Sequence, residues 1–227
     1  MRGNAYISKA LKMCYAKHKE KHLHYAAEQN QLPEEKFMDQ LFARIRALST
    51  CDLADIAGPD CILDHRIQNF TCDCMIVGPA LTVSLPRGTC AYVTEGIKSA
   101  LPGQILVIEG HGDATFANWG DYRSHLAKKK GIAGVIIDGS MRDLNACRQV
   151  GLPVFALGVT PRTSTADPGG SLNIPVTCGG VTIHPGDIII GDDNGVLCLP
   201  LRGLEEIVSG AEKKVEAQEK KIAALYE

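Results

Sequence analysis

Short apolar runs recur from residue 72 onward, each stopped by Gly, Pro or Asp: CMIVGPALTVSL, ILVIEG, GVIIDG, PVFALG, VTIHPGDIII and GVLCLP. Their length, β-branched content and punctuation predict strands. Between them the period lengthens, and residues 90 to 100, 121 to 130, 142 to 150 and 201 to 226 carry helical patterns. Strands alternating with helices predict an α/β layered domain. Upstream, Pro33 precedes EEKFMDQLFARIRAL, in which Phe37, Leu41, Ile45 and Leu48 fall on one helix face. The last stretch is heavily charged, with Leu204, Ile207, Val208, Ala211, Val215 and Ile222 in one stripe, and predicts a helix packed on its own core or on a neighbour. Residues 1 to 33, rich in Lys and His and poor in large aliphatics, read as an N-terminal extension. Residues 34 to 227, with no repeat and no internal linker, read as one domain.

Composition narrows the partners. With 227 residues and 45% hydrophobic content the chain is long enough to bury a full core. A formal net charge of -2 gives no general attraction to nucleic acid, and 5% aromatics leave few residues for stacking on single strands. The expected partner is a small molecule. The nine cysteines contain no C-x-x-C pair and several sit in apolar runs, so most are expected as free thiols in a reducing cytoplasm. Cys72 and Cys74 are the closest pair, and strand alternation puts both on one face, where packing outweighs a metal or redox role. No apolar run approaches a bilayer span, and the first residues lack the apolar region of a signal peptide, which predicts no membrane partner.

Chemistry concentrates in NWGDYRSHLAKKKGIAGVIIDGSMRDLNACRQV, where a helix start, a buried strand and a second helix start follow one another. Asp121 opens a helix after Gly120, a place where the backbone can approach a ligand and the free amides of Gly120 to Arg123, Tyr122 included, can receive a carboxylate. The next strand ends at Asp138 and Gly139, and its turn delivers Arg142 and Asp143 to the following helix start. A guanidinium there can stabilise a developing enolate oxygen, and a carboxylate beside it can hold a hydrated divalent cation. Read from these residues alone, a plain helix cap at Asp121 and a plain ion pair between Arg142 and Asp143 fit as well.

The segment resembles the signature of the family that contains the 4-hydroxy-4-methyl-2-oxoglutarate/4-carboxy-4-hydroxy-2-oxoadipate aldolases and the regulators of ribonuclease E activity. That signature is an Asp, twenty intervening residues and then Arg-Asp, which Asp121, Arg142 and Asp143 reproduce. GVIIDGSMRD, GGVTIHPGDIIIGDDNGVLCLP and GPALTV extend the resemblance over about residues 38 to 226. It implies a swivelling β/β/α domain assembled as a trimer or hexamer, with sites between subunits. It also implies Mg²⁺ or Mn²⁺, with Asp143 on the metal, Asp121 holding a metal-bound water, Arg142 on the pyruvyl oxygens and the Gly120 to Arg123 amides on the carboxylate. A carboxylate from a neighbouring subunit's C-terminal helix is implied too, with Glu219 the first counterpart by position and Glu216 the second. The implied activity is a metal-dependent lyase that releases pyruvate from 4-hydroxy-2-oxo acids and decarboxylates oxaloacetate through the same enolate. The alternative that the family offers is a non-enzymatic regulator that binds a ribonuclease. A methyltransferase is disfavoured, because no glycine-rich nucleotide turn follows an early strand.

Other polar residues have humbler expected roles. His18, His22 and His24 belong to a solvated basic helix, and GDDNG at 191 to 195 is a hairpin turn rather than a metal loop. His111 and Asp113, placed just after a strand end, are candidates to line the cleft toward the distal carboxylate of the substrate, with a plain structural role the stronger reading for His111. His125 and His184 are expected at the surface or in packing. Tyr122, Arg123 and His125 depart from the smaller or aliphatic residues expected after Asp121, which leaves the distal end of the substrate open.

Overall fold

The computed structural model describes residues 34 to 226, with side chains from residue 36; the extension and its three histidines lie outside the described residues. Two helices come first, α1 (Glu34–Ile45) and α2 (Thr50–Ala57), followed by a 3-10 turn (Pro59–Cys61) and a short strand β1 (Gln68–Asn69). The central run is β2 (Ile76–Ser84), α3 (Ala91–Ser99), β3 (Ile105–Trp119), α4 (Asp121–Lys130), β4 (Gly134–Met141), α5 (Leu144–Val150) and β5 (Val154–Val159). Then come β6 (Ser171–Leu172), β7 (Val176–Cys178), β8 (Val181–Ile183), β9 (Ile188–Asp192), β10 (Gly195–Leu199) and the long α6 (Leu204–Ala223).

The sheet order is β1-β5-β4-β3-β2-β9-β10, with β6 paired to β2 and a separate β7-β8 hairpin. Strands β2 to β5 are parallel neighbours, and each is joined to the next by a single helix. Such crossovers share one hand, so their helices gather on one face. Alternation along β3 shows the consequence: Leu106 and Ile108 pack under these helices with Val93, Ile97, Ala127 and Cys147. Ile105 and Val107 face the other way, toward Val176, Cys178 and Ile183 of β7 and β8. The layers are therefore helices, main sheet and a second small β layer. A third core joins α1, α2 and α6 to β9 and β10 through Phe42, Ile45, Leu53, Ile190, Leu197 and Val208. Arg44 fastens α1 to α6, its Nε and Nη2 donating to Glu212 at 2.8 and 2.7 Å and its Nη1 to Glu205 at 2.6 Å.

Several expectations change in detail. VTIHPGDIII divides into β8 and β9, because Pro185 and Gly186 turn the chain between them. GDDNG is a hairpin turn, and Asp192 also accepts from the Thr50 amide (2.9 Å) and hydroxyl (2.6 Å), tying the turn to the start of α2. Cys72 and Cys74 do not lie on a strand face; they sit in the bend before β2, joined as a disulfide. Cys61, Cys90, Cys147, Cys178 and Cys198 are buried free thiols. No helix among the described residues is long and apolar enough to cross a membrane.

The largest departure is in β3. It does not stop at Gly110 but runs on to Trp119 with repeated register shifts against β4, so that Ile108 pairs with Ile137 while Trp119 pairs with Met141. His111 and Gly112, both at positive φ, form part of this bulged stretch. The excess length in β3 is absorbed before residue 119. The two strands therefore end level with each other.

Candidate active site

The level ending builds the site. Trp119 pairs with Met141, an offset of twenty-two residues that also separates Asp121 from Asp143. The Arg142 amide still donates to the Trp119 carbonyl at 3.0 Å, so the two turns leave the sheet side by side. The twenty residues between Asp121 and Arg142 are one helix, one loop and one strand, the length of a single crossover. The carboxyl ends of adjacent parallel strands are where such sheets receive ligands.

Asp121, Arg142 and Asp143 line one cavity of about 360 Å³, with Gly120, Tyr122 and Arg123 in its wall. Asp121 and Asp143 also border a neighbouring hollow with Leu144, Asn145 and Ala146. Gly120 is required by this approach: a Cβ there would stand 2.7 Å from Asp143 Oδ2 and 3.3 Å from Arg142 Cγ. Asp143 occupies the first position before α5 in a left-handed conformation (φ 55°), yet its carboxylate caps no helix amide. Its Oδ2 accepts from Arg142 Nε at 3.1 Å, and both side chains remain partly exposed. Asp143 is thus held in the left-handed region without being used as a cap.

Asp121 is the first helical residue of α4, with Gly120 as the cap. Its Oδ1 accepts from the Tyr122 amide at 2.6 Å, so one member of the expected amide cradle is engaged by the chain itself. The Tyr122 ring is 69% exposed and points away from any core. Beneath the turn, Trp119 Nε1 donates to Ser124 Oγ (2.8 Å), which donates to the Gly120 carbonyl (3.1 Å), a buried set of bonds that holds the start of α4. Burial pushes the Cys147 thiol below it above its ordinary pKa, and this residue belongs to the support.

Among the described residues no group of three or more His, Cys, Asp or Glu side chains could hold a metal. A closed zinc-type cage is therefore not built by the described residues of one chain. Two carboxylates at an open pocket do suit a magnesium-type ion, which keeps most of its waters and takes one or two protein carboxylates. Glu219 does not reach this pocket within its own chain; it is exposed near the end of α6, a helix packed on α1 and α2. Glu216 pairs with Lys220 on the same stretch.

His111 is placed differently from the expectation. It lines a second cavity of about 300 Å³ with Asp64, Arg66, Arg87, Glu109 and Asp138, and its Nε2 faces the Leu85 carbonyl. The bulged path of β3 carries it there. Asp113 accepts from the Thr115 amide at 2.8 Å, and hydrogen bonds from the Thr115 side chain and amide hold its carboxyl below the ordinary range. His125 and His184 are exposed, as expected. Sequence reading missed Cys90, Thr94, Thr163 and Ser164, which complete the first cavity. Cys90 and Thr94 stand at the start of the helix after β2, so the rule that singled out residues 121 and 143 applies to them as well. Thr163 arrives by a bridge to Ala117, with no local signal.

Known proteins share this architecture. A protein of Halalkalibacterium halodurans named "Putative 4-hydroxy-4-methyl-2-oxoglutarate aldolase" is 36% identical over 183 residues, covering 79% of this chain and 87% of that protein. The solved structure of an uncharacterized protein from Pseudomonas syringae pv. tomato matches with a TM-score of 0.74 at 26% identity, over 82% of this chain and 88% of that one. The structure of the RNA-processing inhibitor RraA from Thermus thermophilis matches with a TM-score of 0.62 at 29% identity, over 67% and 92%. The sequence model described as RraA-like, Aldolase/RraA, matches residues 50 to 198, well over half of the chain. The family-model match over residues 50 to 198 and the 36% identical relative together make the chain a member of the RraA-like family.

Proposed function

We propose that the chain is a divalent-metal-dependent carbon–carbon lyase that cleaves 4-hydroxy-4-methyl-2-oxoglutarate-type acids to pyruvate, with oxaloacetate decarboxylation as a side activity. The observation that carries this reading is the convergence of Asp121, Arg142 and Asp143 on one cavity, across a Gly120 that leaves no room for a side chain. The name of the Halalkalibacterium relative supports it.

Cleavage of the C3–C4 bond needs a base for the 4-hydroxyl and a sink for the electron pair that arrives at the C2 carbonyl. Arg142 engages Asp143 through Nε, which leaves the two terminal nitrogens to fork onto substrate oxygens and stabilise the enolate. Asp121 keeps Oδ2 for a water that takes the hydroxyl proton, while its Oδ1 is fixed by the Tyr122 amide. With that amide engaged, the amides of Asp121 and Arg123 remain for the carboxylate at the start of α4. Protonation of the enolate at C3 then gives pyruvate. Asp143 is the residue to hold Mg²⁺ or Mn²⁺, which when bound supplies Lewis-acid polarisation of the 2-oxo group. Glu219 of a neighbouring copy, or Glu216 after it, is the proposed outer acceptor in a trimer or hexamer. Partial activity recovered on mixing inactive Asp143→Ala chains with inactive Glu219→Ala chains is the expected sign, and a fully active Glu219→Ala protein removes the residue.

The second reading, a regulator that binds a ribonuclease, draws on the name of the Thermus structure. It has no use for the three converging side chains. Pyruvate release from a panel of 4-hydroxy-4-methyl-2-oxoglutarate, 4-carboxy-4-hydroxy-2-oxoadipate and oxaloacetate separates the two. Turnover of at least one acid is expected, and none on any of them, in protein that inhibits a ribonuclease, reverses the assignment.

A further inference from the structure

Two guanidinium groups line the first cavity, and only one has an acidic partner. Arg142 is paired with Asp143. Arg123 instead reaches back from the first turn of α4 to two main-chain carbonyls, Nη1 donating to Asn118 at 3.2 Å and Nη2 to Cys90 at 2.9 Å. Its Nε is buried without a partner, and no carboxylate lies within ion-pair distance of it among the described residues.

This arrangement is costly without an anion. A half-buried charge that bonds only to neutral carbonyls loses hydration, and the field it sets up in the cavity wall is uncompensated. The two carbonyls also fix its position. One belongs to β3 and the other to the residue before α3, whereas Arg142 and Asp143 are carried by the turn after β4. Asn118 is itself held, its Nδ2 donating to the Thr89 carbonyl at 2.9 Å. Two cationic groups brought to one cavity by separate elements fit an acid with two anionic groups.

We propose that the Arg123 side chain receives the second carboxylate of a 2-oxo-dicarboxylic acid and so sets a preference for diacids over monoacids. The inference rests on the lyase reading of this cavity and extends it to the distal end of the substrate, which His111 does not reach. Arg123 is a specificity residue and takes no part in bond cleavage.

Calorimetric binding of two acids of equal chain length, 2-oxoglutarate and 2-oxopentanoate, tests it in the presence of Mg²⁺. The wild-type chain is expected to bind the diacid about tenfold or more tightly, the range for hydrogen bonds to a charged group. Arg123→Gln should weaken the diacid more than the monoacid and bring the two affinities within about twofold of each other, and Arg123→Lys, which keeps the charge but not the fork, should fall between. Equal loss for both acids, a preference that survives in Arg123→Gln, or no preference in the wild type each overturns the role of Arg123. Binding of both acids without preference leaves the lyase reading intact, whereas binding of neither acid removes both.

Discussion

Two cavities in this molecule are lined by carboxylates and arginines, and they differ in what those groups are doing. In the cavity under the bulged part of β3, nearly every charge has a structural partner. Asp138 accepts from the amides of Gly112 and Gly179, Asp64 is forked by Arg66 at 2.6 to 3.1 Å, and Glu109 accepts from Ser84 (2.6 Å) and the Thr177 amide (3.1 Å). At the ends of β3 and β4, Asp143 caps nothing, Arg142 is engaged through one nitrogen, and Arg123 has no anion. Charge alone does not mark a site. The difference lies in whether the fold itself satisfies the charged groups, and it predicts opposite responses to mutation: loss of stability in the cavity under the bulged part of β3 and loss of turnover at the ends of β3 and β4.

Asp143→Ala should have the largest effect. Loss of the metal carboxylate is expected to lower kcat/KM roughly a thousandfold or more, the kinetic equivalent of several kcal/mol of charge stabilisation. Its melting temperature should barely move, since a partly exposed ion pair contributes about 1 kcal/mol or less. A thermal shift in step with the activity loss would place Asp143 among the structural carboxylates.

Arg142→Lys comes next. Charge is retained but the planar fork is lost, and a cost of about 2 to 4 kcal/mol in kcat/KM is expected, the range for one oxyanion donor. Near wild-type turnover would reduce Arg142 to an ion-pair partner.

Gly120→Ala sharpens the comparison without touching a charged group. The added methyl would meet Asp143 Oδ2 at 2.7 Å, and a displacement of about 1 Å at a reacting group lowers rates on the order of 10²-fold. Unchanged kinetics would mean that the position of Asp143 is not critical.

Asp138→Ala should have the smallest effect on turnover. Leaving the Gly112 and Gly179 amides unpaired is expected to cost about 1 to 3 kcal/mol of stability, read from denaturant unfolding, with kcat/KM per folded chain preserved. Burial pushes the Asp138 carboxyl above the ordinary aspartate range. With the folded value raised, its contribution to stability is fully present at pH below the ordinary value and is lost as pH rises through the folded one. That slope should disappear in the variant. A collapse of turnover in well-folded Asp138→Ala would move the chemistry toward the second cavity.

Much of this was legible in the sequence. The strands were readable because parallel strands buried on both faces leave continuous apolar runs, as β4 does with all eight residues buried. The pairing of residues 121 and 143 was carried by the resemblance to the family signature, and the length of one crossover is the physical reason for that spacing. The second half of β3 was not readable, since GHGDATFAN is polar and glycine-containing, and it is held as a strand by its neighbours rather than by its own propensity. For the same reason the sequence does not place His111: a bulge sends a side chain where neither strand alternation nor a loop reading can follow. Helix α2 went unpredicted because it is only eight residues long, and a capping box at Ser49 and Asp52 with the distant Asp192 secures its start. The side chain of Arg123 was seen only as a departure from a pattern, because its two carbonyl partners come from separate parts of the fold.

The most direct test of the central claim is pyruvate release under metal control. The chain should lose turnover of 4-hydroxy-4-methyl-2-oxoglutarate after exhaustive treatment with EDTA and regain it on addition of Mg²⁺ or Mn²⁺, while Asp143→Ala should not respond to either ion. Pyruvate formation that survives chelation and is indifferent to both ions would contradict the metal-dependent chemistry assigned to the ends of β3 and β4.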